Sequence, residues 1–482
     1  MSNEQVLSGV KAIIDELRPH FDALSDTVWN FAELKFEEHR SAAAHKAVLA
    51  SHGFVIEENL ADISTAFSGV RGTGGPIIAF LGEFDALAGL SQQAGVDHPD
   101  PIVPGGSGHG CGHNLLGAGS LLAATATAAF LEQNELSGTV IYFGCPAEEG
   151  GSAKTFMARA GLFDNVDVAL TWHPAPFNGV RSTNNLAVLK FIYSFKGRAA
   201  HAATAPHLGR SALDGLELMN IGVNFLREHM PSDSRVHYAI TDAGGSAPNV
   251  VQSKAEALYM IRSKEMPDAL DLAERVHQIA RGAAMMSETE VTIRFSAAAT
   301  NLLPNLALEG VIHKNLLSMG PVPFDEEDKA FAARIRATLS EETVDSAIKL
   351  FAVGEDAFHG TFDRSAPLHT GLRQFEGASH FRPGSTDVGD VSWVAPTAQC
   401  WAPTWAIGTA AHSWQAVAQG KTNGAKKAMA HAALALAKTA VDLVLDPELV
   451  EKARLEWAER TRGRRYKCPI PDDVHPPRPV LE

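Results

Sequence analysis

The stretch "GTVIYFGCPAEEG" (Gly138–Gly150) decides the fold. It is an apolar, β-rich run that ends abruptly in two adjacent carboxylates and a glycine. A strand that is apolar on both faces is buried on both faces, as in parallel sheets covered by helices. The pattern recurs upstream in "PIIAFLGEFDAL" (Pro76–Leu87) and downstream in "VDVALTWHP" (Val166–Pro174). Between the first two runs lies "NLLGAGSLLAATATAAFLEQ" (Asn114–Gln133), which reads as a helix. Buried strands alternating with helices predict an α/β sheet. Such sheets bind ligands beyond the carboxyl ends of their strands, where Asp85, Glu148, Glu149 and His173 all stand.

Working outward, Val6–Phe31 carries apolar residues at helical spacing, with Val6, Val10, Ile13, Ile14 and Leu17 on one stripe. The pattern changes near Asn185. "LAVLKFIYSFKG", "RVHYAITDAGG", "KAEALYMIRS" and "EVTIRFSAA" alternate like strands, and two helical stretches separate them in the order βαββαβ. That order is the ferredoxin-like unit. It predicts a compact domain over 186–300, inserted into a catalytic domain made of 1–185 and 301–482. A long helix is expected near Asn423–Leu445, followed by an extended, Pro-rich tail.

The bulk composition narrows the function classes. A chain of 482 residues is long for one core and fits two domains. Its formal charge of −15 argues against a nucleic-acid partner, which needs clustered Lys and Arg. Four scattered cysteines do not make a disulfide framework. The N-terminus lacks a signal-peptide pattern, and no run of about 18 apolar residues is read as a membrane span. A cytoplasmic protein without a membrane partner is expected.

The chemistry concentrates in "SGHGCGHNLLGAG" (Ser107–Gly119), which sets two histidines and a cysteine within five residues. Taken alone, this is a metal site, a redox thiol or a crowded turn. Thiolate and imidazole suit zinc and its neighbours, and Cys111 and His113 are close enough to share an ion or a pair of ions. Glu149, His173 and the distant His412 bring the candidates to five, enough for two metals sharing a bridge. Glu148 beside Glu149 suits a pair in which one carboxylate binds metal and the other takes a proton from water. Read singly, each residue has a plain alternative in the core or in a solvated turn.

Together, "GHGCGHN", "PAEEGG", "HP", "GRAAHAATAPHLGRSALD" and "HSW" resemble the metal-dependent aminoacylase and glutamate carboxypeptidase amidohydrolases, on the branch with a cysteine ligand in CGH. The resemblance covers nearly the whole chain. It implies a mixed-sheet, di-metal exopeptidase-like catalytic domain with the inserted unit as lid and dimerisation domain. It also implies two divalent ions, Zn or Mn, on Cys111, His113, Glu149, His173 and His412, with Cys111 bridging and Glu148 as general base. His201 then reaches a partner's site to stabilise the oxyanion, and Asn249 and Arg262, read as lying on neighbouring strands, hold the substrate carboxylate. Asp85 is an orienting residue and His109 a supporting one. The sequence departs from the family twice: Glu83 stands where many relatives have a metal-binding histidine, and Asn114 where the branch usually has aspartate. Cys145, Cys400 and Cys468 read as structural.

The activity implied is hydrolysis of an N-aroyl- or N-acyl-amino acid, with p-aminobenzoyl-glutamate favoured and an indole-acetyl-aspartate conjugate as the alternative. The working unit is expected to be a homodimer or a heteromer with a related subunit. The rival classes are a non-catalytic subunit that kept the fold and a redox protein. The complete residue set opposes the first, and the lack of a second cysteine at CxxC spacing opposes the second.

Overall fold

The computed structural model describes residues 1–351, 357–359, 362–382 and 384–477. Two sheets organise the chain. The larger has seven strands: β1 (Val55–Glu58), β2 (Phe67–Thr73), β3 (Ile77–Glu83), β4 (Gly138–Cys145), β5 (Val168–Ala175), β6 (Gly179–Val180) and β13 (Thr397–Pro403), in the order β1-β2-β4-β3-β5-β13-β6. The four central strands run parallel and the edges are antiparallel. The three apolar runs of the sequence are therefore β3, β4 and β5, and the sheet is mixed as expected. A short pair, β7 (Thr183–Asn185) and β12 (His380–Arg382), lies outside it.

Helices cover the central strands because the strands are apolar on both sides. The helices Asn3–Phe31, His113–Gln133 and Asn423–Leu445 pack together over one face, in a core that includes Phe80, Leu121, Tyr142, Leu170 and Leu436. Small residues let His113–Gln133 come close: a Cβ on Gly117 would lie 2.6 Å from the Glu83 carbonyl oxygen. One expectation is corrected here. The helices His113–Gln133 and Asn423–Leu445 are both long and apolar enough to cross a membrane by length and composition, contrary to the reading of the sequence. Both are instead core helices, with 94% and 83% of the apolar window buried inside the protein. They are apolar all round because they are covered all round.

The second sheet is four-stranded and antiparallel, built from β8 (Ala187–Lys196), β9 (Arg235–Asp242), β10 (Lys254–Ser263) and β11 (Glu290–Ala299) in the order β11-β8-β10-β9. The helices Ala212–Leu226 and Met266–Met286 complete the βαββαβ order read from the sequence. They pack on one face through Leu216, Met219, Val223, Leu272 and Val276. That core runs on without a break into Ala153–Ala158 and Phe163 of the first unit. The tail joins it too. Ile470 is buried, Tyr466 donates to Asp390 at 2.8 Å, and Arg159 donates to the carbonyls of Pro471 and Val474.

Candidate metal centre

The parallel strands β3, β4, β5 and β13 deliver their carboxyl ends to one edge, and the candidate ligands meet there. Sγ of Cys111 with one nitrogen each of His113 and His173 forms a group whose ligand atoms all lie within 4.8 Å of one another. Sγ of Cys111 with Glu149 and His412 forms a second such group. Cys111 is common to both, and its sulfur lies 3.5 Å from Nε2 of His173. Nε2 of His412 lies 3.3 Å from Oε1 of Glu149.

Local backbone geometry sets these side chains. Gly112 adopts φ +74° and caps the helix that begins at His113; a Cβ there would press on Pro174 at 2.9 Å. The turn after β4 passes through Ala147 at φ 57° and Ser152 at φ 55°, and Gly151 has no room for a Cβ against Phe36. The buried Glu38 carboxylate accepts from the Ala147 amide at 2.9 Å and from Thr65. His412 itself sits at φ 62°, tied by its amide to the Gly110 carbonyl at 2.8 Å. A non-glycine residue held in the left-handed region, costing on the order of 1–3 kcal/mol, is characteristic of functional sites.

Asp85 organises the cluster. Its Oδ1 accepts from Nδ1 of His113 at 2.9 Å, and its Oδ2 accepts from the Glu149 amide at 2.9 Å. This fixes the His113 tautomer and turns Nε2 inward, an arrangement typical of metal-binding histidines. Nε2 of His113 and Oε1 of Glu149 are buried, and each meets one charged neighbour at 3.3 Å, Oε2 of Glu83 and Nε2 of His412 respectively. Buried donor atoms converging on one spot with a thiol and two further imidazoles fit a cation. Charge tells the same story. Burial and then Arg181 push His173 well below the usual range, which suits a neutral donor. Hydrogen bonds to Cys111 and Glu149 raise His412 to about 10, a demand for positive charge that bound cations would meet.

Glu148 stands beside Glu83 and His113 in a third group of the same compactness. Burial, then the Glu83 and Glu149 carboxylates, raise its pKa to about 8. Below it lies an ion triad that the sequence does not announce. Lys154 Nζ reaches Glu83 at 2.7 Å and Asp387 at 2.6 Å, all three fully buried. A signal is nevertheless present, since a lysine opening a buried helical turn (Ala153–Arg159) is anomalous without buried acidic partners. His109 donates to the Val28 carbonyl at 3.0 Å, and Asn114 donates to Ser25 and to the Gly420 carbonyl, each at 3.0 Å. Both face the first helix. Cys145, Cys400 and Cys468 are free thiols; the first two are buried.

The inserted unit contributes differently. Lys190 of β8 is partly buried and feels both Glu148 and Glu149. Arg262 shares its sheet face, two residues beyond Met260, the partner of Lys190 in the register. His201 is exposed, bridged to Val250, and its Nδ1 accepts from the amides of Ala203 and Thr204. Asn249 is exposed beside it in the loop 243–253 and not on a strand, which corrects the expectation for that residue. The intervening residues "AGGSAPN" carry Gly244 and Gly245 at positive φ, which ends β9 early. With ~3.3 Å per residue along β10, roughly 26 Å separates Lys254 from Arg262. Within one chain, His201 and Asn249 therefore lie at the opposite end of the sheet from Arg262.

Comparison with known proteins agrees with this architecture. Residues 79–368 match the model of the peptidase family M20/M25/M40. The chain is 45% identical over 476 residues to one of the subunits of p-aminobenzoyl-glutamate hydrolase of Escherichia coli (strain K12), covering 98% of this chain and 99% of that protein. Another subunit of the same hydrolase is 32% identical over 249 residues, 48% of this chain and 55% of its own. Two solved structures share the fold. An aminobenzoyl-glutamate utilization protein from Klebsiella pneumoniae matches at TM-score 0.56 with 18% identity, over 89% of this chain and 97% of its own. A Bacillus subtilis protein described as a dinuclear metal binding peptidase matches at TM-score 0.51 with 17% identity, over 89% of this chain and 99% of its own. The chain belongs to the M20/M25/M40 peptidase family and is a hydrolase of amide bonds.

Proposed function

We propose that this chain hydrolyses p-aminobenzoyl-glutamate to p-aminobenzoate and glutamate, using two divalent cations. The observation that carries the reading is the pair of three-ligand groups sharing Cys111, with the Glu148 carboxylate beside them. The 45% identity to the E. coli hydrolase component over nearly the full chain supports the substrate. Cys111, His113 and His173 would hold one ion, and Cys111, Glu149 and His412 the other. Mixed S, N and O donors suit zinc or manganese. Such ions, when bound, acidify water and polarise a carbonyl.

The chain's own residues do the rest. Glu148, poised by burial and neighbouring carboxylates, takes the proton of the attacking water and delivers it to the leaving amine nitrogen. Asp85 keeps Nε2 of His113 directed at the cluster. Arg262 of one chain, through its planar donor fork, and Asn249 of a second chain bind the substrate's α-carboxylate. His201 stabilises the oxyanion from a second chain, because in its own chain it lies far from the cluster. The working unit is then a homodimer or a pair with a related chain; the E. coli relatives, two subunits of one hydrolase, support the second form. The inserted unit, 186–300, serves as lid and dimerisation domain on the catalytic domain formed by 1–185 and 301–482. A small folate-catabolite substrate fits a cytoplasmic setting.

The deciding experiment measures metal per purified chain and glutamate release with added zinc or manganese, on p-aminobenzoyl-glutamate and an indole-acetyl-aspartate conjugate side by side. Metal-dependent release from the first establishes the reading. Release only from the second replaces the substrate. Bound metal without release from either moves the activity to a missing partner chain.

A further inference from the structure

A cavity of about 570 Å³ opens beside the cluster, with His173 on one wall and Ala410 and Ala411, next to His412, on its rim. Its other walls hold Arg181, Phe351, Arg382 and Trp401. Trp401 is buried under guanidinium groups. Arg382 lies 4.4 Å from its ring centroid, Arg373 5.4 Å and Arg181 6.0 Å, and Arg382 also covers the Phe351 ring at 4.5 Å. Three cations against one indole is an unusual concentration of positive charge, and among the described residues none of the three forms an ion pair. Arg181 spends one nitrogen on Gln399 at 3.0 Å, while its buried Nε has no partner; Nε of Arg373 is likewise unpartnered. Arg382 gives one nitrogen to the Leu350 carbonyl. Burial, then Arg181 and Arg373, depress Arg382 to about 9. Among the described residues lining the cavity, the acidic one is Glu342, which is exposed and forms no ion pair with these groups.

We infer that Arg181 and Arg382 form a subsite for a second carboxylate of the substrate, the side-chain carboxylate of a dicarboxylic amino acid. The inference rests on the hydrolase reading above, which leaves the α-carboxylate to Asn249 and Arg262. An aromatic acyl ring is the poorer occupant, since the faces of Trp401 and Phe351 already carry guanidinium. A carboxylate supplies what the wall lacks, an acceptor for planar donor forks in a half-buried site. Continuity with His173 lets one molecule span the scissile amide and this subsite. The site would thereby select N-acyl glutamate or aspartate over neutral amino acids, because a substrate without the carboxylate leaves the arginines unpaired.

The test uses the metal-loaded, full-length protein and two readouts. Glutarate binding is measured by titration calorimetry for wild type, R382M and S346E. Ser346 is an exposed residue on the cavity wall, so S346E sets a competing carboxylate before the arginines without touching their packing. Hydrolysis of p-aminobenzoyl-glutamate is compared with that of p-aminobenzoyl-glutamine. The expected result is glutarate affinity at least about tenfold weaker in both variants. The kcat/KM preference for glutamate over glutamine should also fall about thirtyfold or more, through the glutamate substrate alone. If R382M does not fold, S346E decides. Equal glutarate affinity in wild type and folded variants, or no glutarate binding at all, overturns the subsite, as does an unchanged glutamate preference. A wild-type protein that binds glutarate through Arg382 yet cleaves neither conjugate removes the hydrolase reading and leaves the subsite standing.

Discussion

The two sheets treat their polar residues in opposite ways. The seven-stranded sheet draws Cys111, His113, Glu148, Glu149, His173 and His412 from positions three hundred residues apart into one compact cluster. The four-stranded sheet scatters its candidates, with Lys190 and Arg262 on the face towards the cluster and His201 and Asn249 at the far end. The cause is strand direction. Parallel strands send every carboxyl end to the same edge, so strand-end residues converge whatever their sequence separation. Antiparallel strands send successive ends to opposite edges, so residues close in sequence part company. The first unit therefore gathers its candidate ligands within one chain, whereas the far end of the second is placed to serve another chain, as proposed above.

The strongest way to break this contrast is to remove the proton carrier while keeping the ligands. Glu148→Gln should retain two metals per chain, read by elemental analysis, while kcat falls roughly a thousandfold or more, in keeping with loss of a general base. Near-normal turnover would show that the convergent cluster does not work as described.

Next in size is the ion triad under the cluster. Lys154→Met leaves Glu83 and Asp387 facing each other without a cation in a buried site. Breaking a buried pair in this way costs about 3–5 kcal/mol. The exposed Lys254–Asp242 pair of the second sheet is the control, and Lys254→Met should leave the melting temperature unchanged within error. Equal melting of both variants would mean that the triad supports nothing.

The far end of the four-stranded sheet supplies the third test. His201→Ala should lower kcat/KM about a hundredfold with metal content intact, the scale of one oxyanion donor. Mixing it with Glu148→Gln chains should recover activity, since half of the sites in mixed dimers then have both residues. Failure of every mixture to recover activity, with mixed dimers shown to form, would return His201 to its own chain.

The same asymmetry governs what is legible in the sequence. The strand ends in "FDAL", "CPAEEG" and "TWHP" announce Asp85, Glu148, Glu149 and His173, because an acid or imidazole closing a buried apolar strand is costly unless a partner or an ion meets it. The βαββαβ order is equally plain, since alternation and helical spacing are local signals. What escapes depends on packing between distant segments. Lys154 makes sense only with Glu83 and Asp387 beside it, and Arg181, Arg373 and Arg382 only around Trp401. Asn249 stands between two strand-like runs and reads as an extension of the second, whereas the glycines that end β9 act through backbone angles and leave it in a loop. The two apolar helices do not stand out as possible spans because small residues dilute their hydropathy, yet those residues are what let them pack on the sheet.

The finest test separates ligand from neighbour within the cluster itself. Asn114 adjoins His113 in sequence and occupies a position where relatives usually carry aspartate, so it invites a role at the metals. Its side chain points away, its Nδ2 shared between Ser25 and the Gly420 carbonyl, fastening the ligand helix to the first helix. Asn114→Ala should cost about 1–3 kcal/mol by leaving those acceptors unpaired in the core. Metal content should stay at the wild-type value and kcat/KM within about twofold, because the hydrogen bond that orients His113 is accepted by Asp85. Asp85→Asn is the informative partner: it keeps shape but loses the carboxylate, and it should weaken metal affinity about 10–100-fold. If Asn114→Ala lost metal while Asp85→Asn kept it, the orientation of the ligand helix, not the carboxylate behind His113, would be what holds the centre together.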